Sequence, residues 1–248
     1  MNSIAIQLSN VSKRFNLNQK NMSSVSHYTN NSNQILALDN ISLTIEKGET
    51  IGVIGLNGSG KTTLLRIISG VYQPDSGSLL INGHLAPLLQ IGTGFKEELD
   101  AEENIILYGL LLGFTKNEIK KKIDDIIRFA ELEKFHKLKL KNYSAGMRSR
   151  LAFSTAIQIN PDILLVDEIL AVGDAVFKEK SFKAFLEFKK QNKTIVYTTH
   201  NINMILDLSD RVILIDQGRI VKIGKPSDVV SYYNEIIKSH NTTNDKIF

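Results

Sequence analysis

A chain of 248 residues, 42% of them hydrophobic, is long enough for one well-cored domain or two small ones. Its formal net charge of +4 is mild, and its Lys and Arg are interspersed with acids, which argues against nucleic acid as a partner. There is no cysteine, which excludes disulfides and thiolate metal sites and fits a reducing compartment.

From Met1 to Asn10 no basic stretch leads into an apolar one, so no signal peptide is visible. Ile4, Ile6 and Leu8 alternate with small or polar residues, as a half-buried strand would. Asn16 to Asn33 is rich in Asn and Ser, lacks periodicity and reads as a surface loop. Ile41, Leu43 and Ile45 alternate again before a Lys47-Gly48 turn. Thr50 to Ile54 is nearly continuous apolar, the pattern of a parallel strand covered on both faces. Glycine-rich Gly55 to Gly60 follows, and Lys61 to Ser69 reads as a helix.

The middle of the chain has a different texture. Ile105 to Phe114 is the most apolar stretch outside the motifs but falls well short of a bilayer span. Any spanning must come from another chain, and this one reads as soluble and cytosolic. Thr115 and Glu118 form a capping box ahead of Ile119, Ile123, Ile126, Ile127 and Ala130 at helical spacing. Ser144 can cap a further helix running to Asn160, where Pro161 enforces a stop. Apolar strands return at Ile163 to Val166, Thr194 to Tyr197 and Val212 to Ile215, and Gln217-Gly218 makes a hairpin turn into Arg219 to Ile223. A last helix from about Pro226 to Lys238 precedes a polar tail, 239–248, that reads as disordered. The sum is an α/β chain with a helical insertion and no internal repeat.

The strongest chemical signal is GLNGSGKTT, Gly55 to Thr63, a full phosphate-loop pattern between a buried strand and a helix. Gly55, Gly58 and Gly60, with Asn57 and Ser59 between them, let backbone N–H groups turn inward around a phosphate, and the helix adds the positive end of its dipole. Lys61 would reach the β- and γ-phosphates. Thr62 would offer its hydroxyl to Mg²⁺, with Thr63 beside it. The second signal is the strand ending in Asp167-Glu168, which sets two carboxylates at the sheet's C-terminal edge. Asp167 suits Mg²⁺ held through water, and Glu168 suits orienting and deprotonating an attacking water.

A phosphate loop, then Tyr143-Ser-Ala-Gly-Met147, then the acidic strand, then a strand ending in His200, resembles the ABC-transporter ATPases over about Ile4 to Tyr233. The resemblance implies one ATP-binding domain over 4–237, with a RecA-like core, an antiparallel β subdomain and a helical subdomain inserted over about 96–160. YSAGM stands for that family's signature motif, with Arg150 at its usual arginine. Asp174 stands for the D-loop aspartate, His200 for the switch histidine on the γ-phosphate, Phe15 for the aromatic that stacks on adenine, and Gln90 for the Q-loop glutamine, a catalytic and Mg²⁺-contacting position. In the family, ATP is held between the phosphate loop of one subunit and the signature motif of the other. Ser144 and the Gly146 N–H would then cap the γ-phosphate across a head-to-tail homodimer, and ATP binding and hydrolysis would close and open it.

Ala145, Met147 and Ile169 depart from the common pattern, while Ser144, Gly146, Asp167, Glu168 and His200 stand. YSAGM, Asp167 to Phe177, Leu89 to Phe95 and Glu103-Asn104 together resemble the exporters of O-antigen, capsular polysaccharide and teichoic acid. The expectation is an ATP hydrolase peripheral to the cytoplasmic face of the bacterial inner membrane, bound to a membrane-spanning permease that handles a lipid-linked polysaccharide. The readings kept beside it are transport of a lipid, drug or peptide, and a soluble ABC protein acting on ribosomes or DNA. The resemblance implies that the region near Gln90 to Phe95 sits under the permease, with a short gating helix in this stretch; the other reading takes His84 to Phe95 as a linker. Ile105 to Phe114 reads as a groove for a permease helix, as helical core, or both. No C-terminal glycan-binding domain is expected.

Overall fold

A computed structural model describes residues 3–16, 34–89, 92–168 and 173–244. Its contacts divide the chain into two compact units, one made of Met1–Asn82 with Tyr197–Phe248 and the other of Gly83–Val196.

In the first unit, β1 (Ile4–Asn16) pairs antiparallel with β2 (Gln34–Glu46). A third strand, β4 (Ser76–Ile81), pairs antiparallel on the other side of β1. The alternation read from the sequence is the packing rule here: Ile6 faces Ile45, Leu8 faces Leu43 and Val11 faces Ile41, and all six are buried. The register shifts between Leu8 and Val11, where Asn10 sits at φ 52. The Asn10 N–H donates to Ser42 Oγ at 2.9 Å, and that hydroxyl donates to Asn10 Oδ1 at 3.0 Å, so the irregular residue is stapled across the ladder. β1 carries its pairing out to Asn16, opposite Gln34, so Asn16 is strand rather than loop. The rest of the expected loop, 17–33, lies outside the described residues.

β3 (Thr50–Ile54) is buried at every position and runs parallel to β8 (Arg211–Asp216), as its unbroken apolar character requires. The chain returns as antiparallel β9 (Arg219–Gly224) through Gln217 at φ 46 and Gly218 at φ 77, the paired left-handed geometry of a tight hairpin. The helix after β3, α1 (Lys61–Ile68), buries Leu64, Leu65, Ile67 and Ile68. Two further helices belong to this unit, α7 (Ile202–Leu208) and α8 (Pro226–Asn244). The last extends beyond Lys238, so most of the tail expected to be disordered is helical; 245–248 lie outside the described residues.

The second unit holds β5 (Leu85–Leu88), parallel to β6 (Ile163–Val166). The linker reading of His84 to Phe95 does not hold at 85–88, where Ala86 and Leu88 are buried in strand pairing. Residues 90 and 91 lie outside the described set. Its helices are α2 (Ala101–Leu111), α3 (Lys116–Lys120), α4 (Ile123–Ala130), α5 (Ala145–Gln158) and α6 (Ala175–Lys190). The Thr115/Glu118 capping box forms, but the expected single helix breaks at Lys121-Lys122 into α3 and α4. Ile105, Ile119, Ile126, Ile127, Leu140, Tyr143 and Leu151 make the core of these helices. Strand β7 (Thr194–Thr198) contains the point where the two units divide.

Asn104, fully buried on α2, ties the entrance to this helical core. Its Oδ1 accepts from the Lys96 N–H at 2.7 Å, and its Nδ2 donates to the carbonyls of Lys96, Leu99 and Asp100 at 3.0, 3.2 and 2.8 Å. Asn104→Ala removes this partner from the Lys96 N–H and C=O, while Leu99 O and Asp100 O keep the Leu140 and Asn104 N–H groups, and is expected to lower stability by about 3 kcal/mol, read as a reduced urea midpoint at unchanged slope.

Candidate nucleotide site

In the first unit, the loop from Gly55 to Gly60 connects β3 to α1, and contacts with its own unit set its shape. A Cβ at Gly55, whose φ is 152, would lie 2.1 Å from the Ile215 carbonyl oxygen and 2.6 Å from Ser59 Oγ, so only glycine fits. Gly60, at φ 112, would meet the Ala37 carbonyl at 2.7 Å. The Ser59 N–H donates to Leu56 O at 3.2 Å, and the Gly218 N–H donates to Ser59 O at 2.8 Å, which fixes the loop from outside and within. Around Gly58 the space is open.

Gly60 is the N-cap of α1, with no side-chain cap and no acid in the first turn. The helix therefore begins with N–H groups that no side chain of the cap satisfies, and its dipole points into the loop. Lys61 Nζ donates to the carbonyls of Gly55 and Leu56 at 2.8 and 2.9 Å, which curls the ammonium over the loop. Ser59 Oγ is buried without a hydrogen-bond partner. Asn57 and Gly58 lie in the same turn, and Thr62 and Thr63 are the second and third residues of α1.

Phe15 sits at the end of β1, half-buried, its ring edge-on to Tyr72 at 5.2 Å, with Lys13 Nζ 5.7 Å from its centroid. Arg66, in the last turn of α1, donates to the Tyr72 hydroxyl at 3.0 Å and lies over that ring at 5.6 Å. The aromatic platform is thereby fastened to the helix that starts at the phosphate loop. Tyr72 and Arg66 were not singled out by the sequence; the only signal is an aromatic shortly after α1. His200, also in this unit, is exposed just beyond β7 and directly precedes Asn201, whose side chain caps α7.

The second unit carries the remaining expected residues. β6 is buried throughout and delivers Asp167, half-buried, and Glu168, exposed. Glu168 has φ 48, a left-handed conformation that a non-glycine residue adopts at a cost of about 1 kcal/mol or more. Gln90 lies outside the described residues, as do 169–172.

Ser144 is the N-cap of α5 and accepts from the Met147 N–H at 3.1 Å. Tyr143 anchors this start: its ring is buried and its hydroxyl donates to Phe135 O at 2.9 Å, burial pushing its pKa up to about 12. Ser144 and Ala145 are exposed, and a Cβ at Gly146 would find nothing nearer than Ser144 Oγ at 3.8 Å. Among the described residues, no contact demands glycine at that position.

Asp174 is the N-cap of α6. Its Oδ1 accepts from the Phe177 N–H at 3.0 Å, and its Oδ2 pairs with Arg150 of α5. The Phe177 N–H, followed by the Arg150 guanidinium, holds this carboxyl below its ordinary range.

A strand, a glycine-rich loop and an uncapped helix start, with a lysine folded over them, define a phosphate-loop nucleotide-binding protein. The family described as ABC transporter matches residues 38–171. The chain is 47% identical over 203 residues to an O-antigen export system ATP-binding protein of Myxococcus xanthus, covering 82% of this chain and 46% of that protein. It is 39% identical over 241 residues to a teichoic acids export ATP-binding protein of Lactiplantibacillus plantarum, covering 96% of this chain and 66% of that one. Among solved structures, an ATP-binding cassette in a dimeric post-hydrolysis state with ADP and Pi superposes with TM-score 0.69 at 26% identity, covering 89% of this chain and 98% of that one. The chain belongs to the ABC transporter family. It spans about half of the Myxococcus relative and 66% of the Lactiplantibacillus one.

Because Asp174's pKa is depressed in the folded chain, its contribution to capping α6 is fully present above the ordinary value of 3.8 and fades as pH falls through the lower folded one. Carboxyl-carbon NMR is expected to give Asp174 a midpoint below 3.8, and Arg150→Ala is expected to move that midpoint upward.

Proposed function

We propose that this chain binds and hydrolyses ATP as one half of a head-to-tail homodimer and thereby drives a membrane-spanning permease that exports a lipid-linked polysaccharide of the O-antigen, capsule or teichoic-acid type. The observation that carries the ATP reading is the phosphate loop, with α1 uncapped and its first-turn N–H groups turned toward a loop where Gly58 leaves open space. The reading of the cargo rests on the two export proteins that the chain resembles over most of its length. Among the described residues no helix is long and apolar enough to cross a membrane, which agrees with a peripheral subunit on the cytoplasmic face whose permease does the spanning.

In this reading the loop N–H groups and Lys61 bind the phosphates, and Phe15 stacks on the adenine with Tyr72 behind it. Glu168 takes a proton from the water that attacks the γ-phosphate, and His200 contacts the same group. Ser144 and Gly146 of the second copy close over the γ-phosphate, with the start of α5 supplying a favourable dipole. On the family resemblance, the Thr62 hydroxyl, the Asp167 carboxylate and Gln90 would be the residues to hold Mg²⁺, and oxygen donors of this kind suit that ion. When bound, Mg²⁺ neutralises charge developing on the phosphate oxygens. On α2, Ile105 and Tyr108 are buried while Leu110 and Leu111 are 47% and 63% exposed, so the same apolar stretch serves as core at one end and offers a permease helix an apolar seat at the other.

Lys61→Ala is expected to weaken ATP binding by about a hundredfold, through loss of charge-assisted contacts to phosphate; unchanged affinity by calorimetry would overturn the cradle. Glu168→Gln is expected to retain ATP binding, to lose turnover by about a hundredfold or more and to accumulate an ATP-bound dimer on size exclusion. Co-purified with its membrane neighbour, the wild type is expected to hydrolyse ATP faster when an undecaprenyl-linked glycan is added. A rate indifferent to glycans would leave the ATPase standing and remove the proposed cargo.

A further inference from the structure

Four charged side chains in the second unit form an alternating chain. Asp174 pairs with Arg150, Arg150 Nη1 lies 3.2 Å from Glu131 Oε2, and Lys180 Nζ lies 2.9 Å from Glu131 Oε1. They come from four places: the start of α6, the second turn of α5, the end of α4, and the body of α6. Aromatic rings floor the chain, with the Arg150 guanidinium 5.1 Å over Phe177 and Lys180 Nζ 4.8 Å over Phe129. Phe129 and Phe177 themselves meet edge-on at 6.0 Å.

Glu131 is the unexpected member. It caps the C-terminal end of α4 in a left-handed conformation, φ 60 and ψ 43, where glycine or asparagine would be relaxed. The strained backbone aims its carboxylate off the helix end, and each oxygen takes one cation. Glu131 is 46% exposed and Asp174 59%, so ion pairs of this kind contribute little to global stability. Geometry is what they supply. A planar guanidinium held by a carboxylate on one side and an aromatic face beneath has one orientation left for its remaining edge, and that edge meets Asp174.

We propose that Glu131 is a positioning residue which, through Arg150, locks Asp174 at the start of α6 to the Ser144 helix, so that both are presented to a second copy as one rigid surface. The inference rests on the dimeric reading above and deepens it. Asp174 Oδ1 is committed to the α6 cap and Oδ2 to Arg150, so the two elements cannot shift independently while the hub is intact.

The test uses two variants of the full chain. Glu131→Asn removes the charge while suiting the left-handed backbone, and Glu131→Gln removes it at constant size. In both, kcat for ATP hydrolysis is expected to fall about tenfold with KM for ATP unchanged and the thermal midpoint no lower than that of the wild type. Hydrogen exchange at the Phe177 amide, which donates to Asp174, is expected to quicken. Combining Glu131→Gln with Asp174→Asn should cost no more than the Asp174 change alone. Wild-type kcat in both variants, or a lowered thermal midpoint with kcat per folded molecule unchanged, would overturn the hub. If the wild-type chain itself hydrolysed no ATP, the reading beneath would fail, and the Phe177 exchange rates would still decide whether Glu131 orders Asp174.

Discussion

The first unit depends on one close approach of backbone to backbone. At Gly55 the chain leaves β3 so near the Ile215 carbonyl that a single added carbon would overlap it. That proximity lets the loop turn tightly enough for the Gly55 and Leu56 carbonyls to reach Lys61 Nζ and for α1 to begin within a few residues of the buried strand. The neighbouring hairpin contributes in turn, because Gly218 both donates to Ser59 O and lies beside Gly60. The phosphate loop is thus held by the β8–β9 turn as much as by its own sequence. A ligand meeting it would find its donors already ordered.

The signature region of the second unit is built on the same principle with different materials. Ser144 caps α5 and Tyr143 is pinned at both ring and hydroxyl, so the exposed start of the helix needs no partner to take shape. Tyrosine adds at that position a polar anchor, the bond to Phe135 O, that an aliphatic residue lacks. Asp174 performs the same capping service for α6 while facing Arg150. The network of ion pairs continues to the end of α4, above the packed rings of Phe129, Phe153 and Phe177 that join the same helices.

Local chemistry was the part legible in the sequence. The phosphate loop, the Thr115 capping box, the Ser144 cap and the Gln217-Gly218 turn each need residues within a single short stretch of chain, and each stands where its pattern put it. Strands β4 and β5 were illegible because they are short and carry serine, glycine or proline, and pairing with a distant strand rather than propensity makes them extended. Helix α6 does carry a signal, Phe177, Ser181, Phe185 and Phe188 on one buried face behind an Asp174 cap, which is obscured by the lysines and glutamates between them. Glu131 offered none: glutamate has no preference for left-handed backbone, and its two cations lie 19 and 49 residues away. The roles given to Phe15, Gln90, Asp174 and His200 come from the family resemblance and not from any local pattern.

Glu168 occupies a backbone conformation that most side chains avoid. Its identity is therefore filtered twice, once by the chemistry proposed for its carboxylate and once by torsion. Valine, isoleucine or threonine there would be resisted by the main chain before any loss of acidity was felt. Asparagine and glycine would relieve the strain, so a loss-of-function change at this position can leave the chain more stable than the original. Stability screens and activity screens would then rank the same substitutions in opposite order.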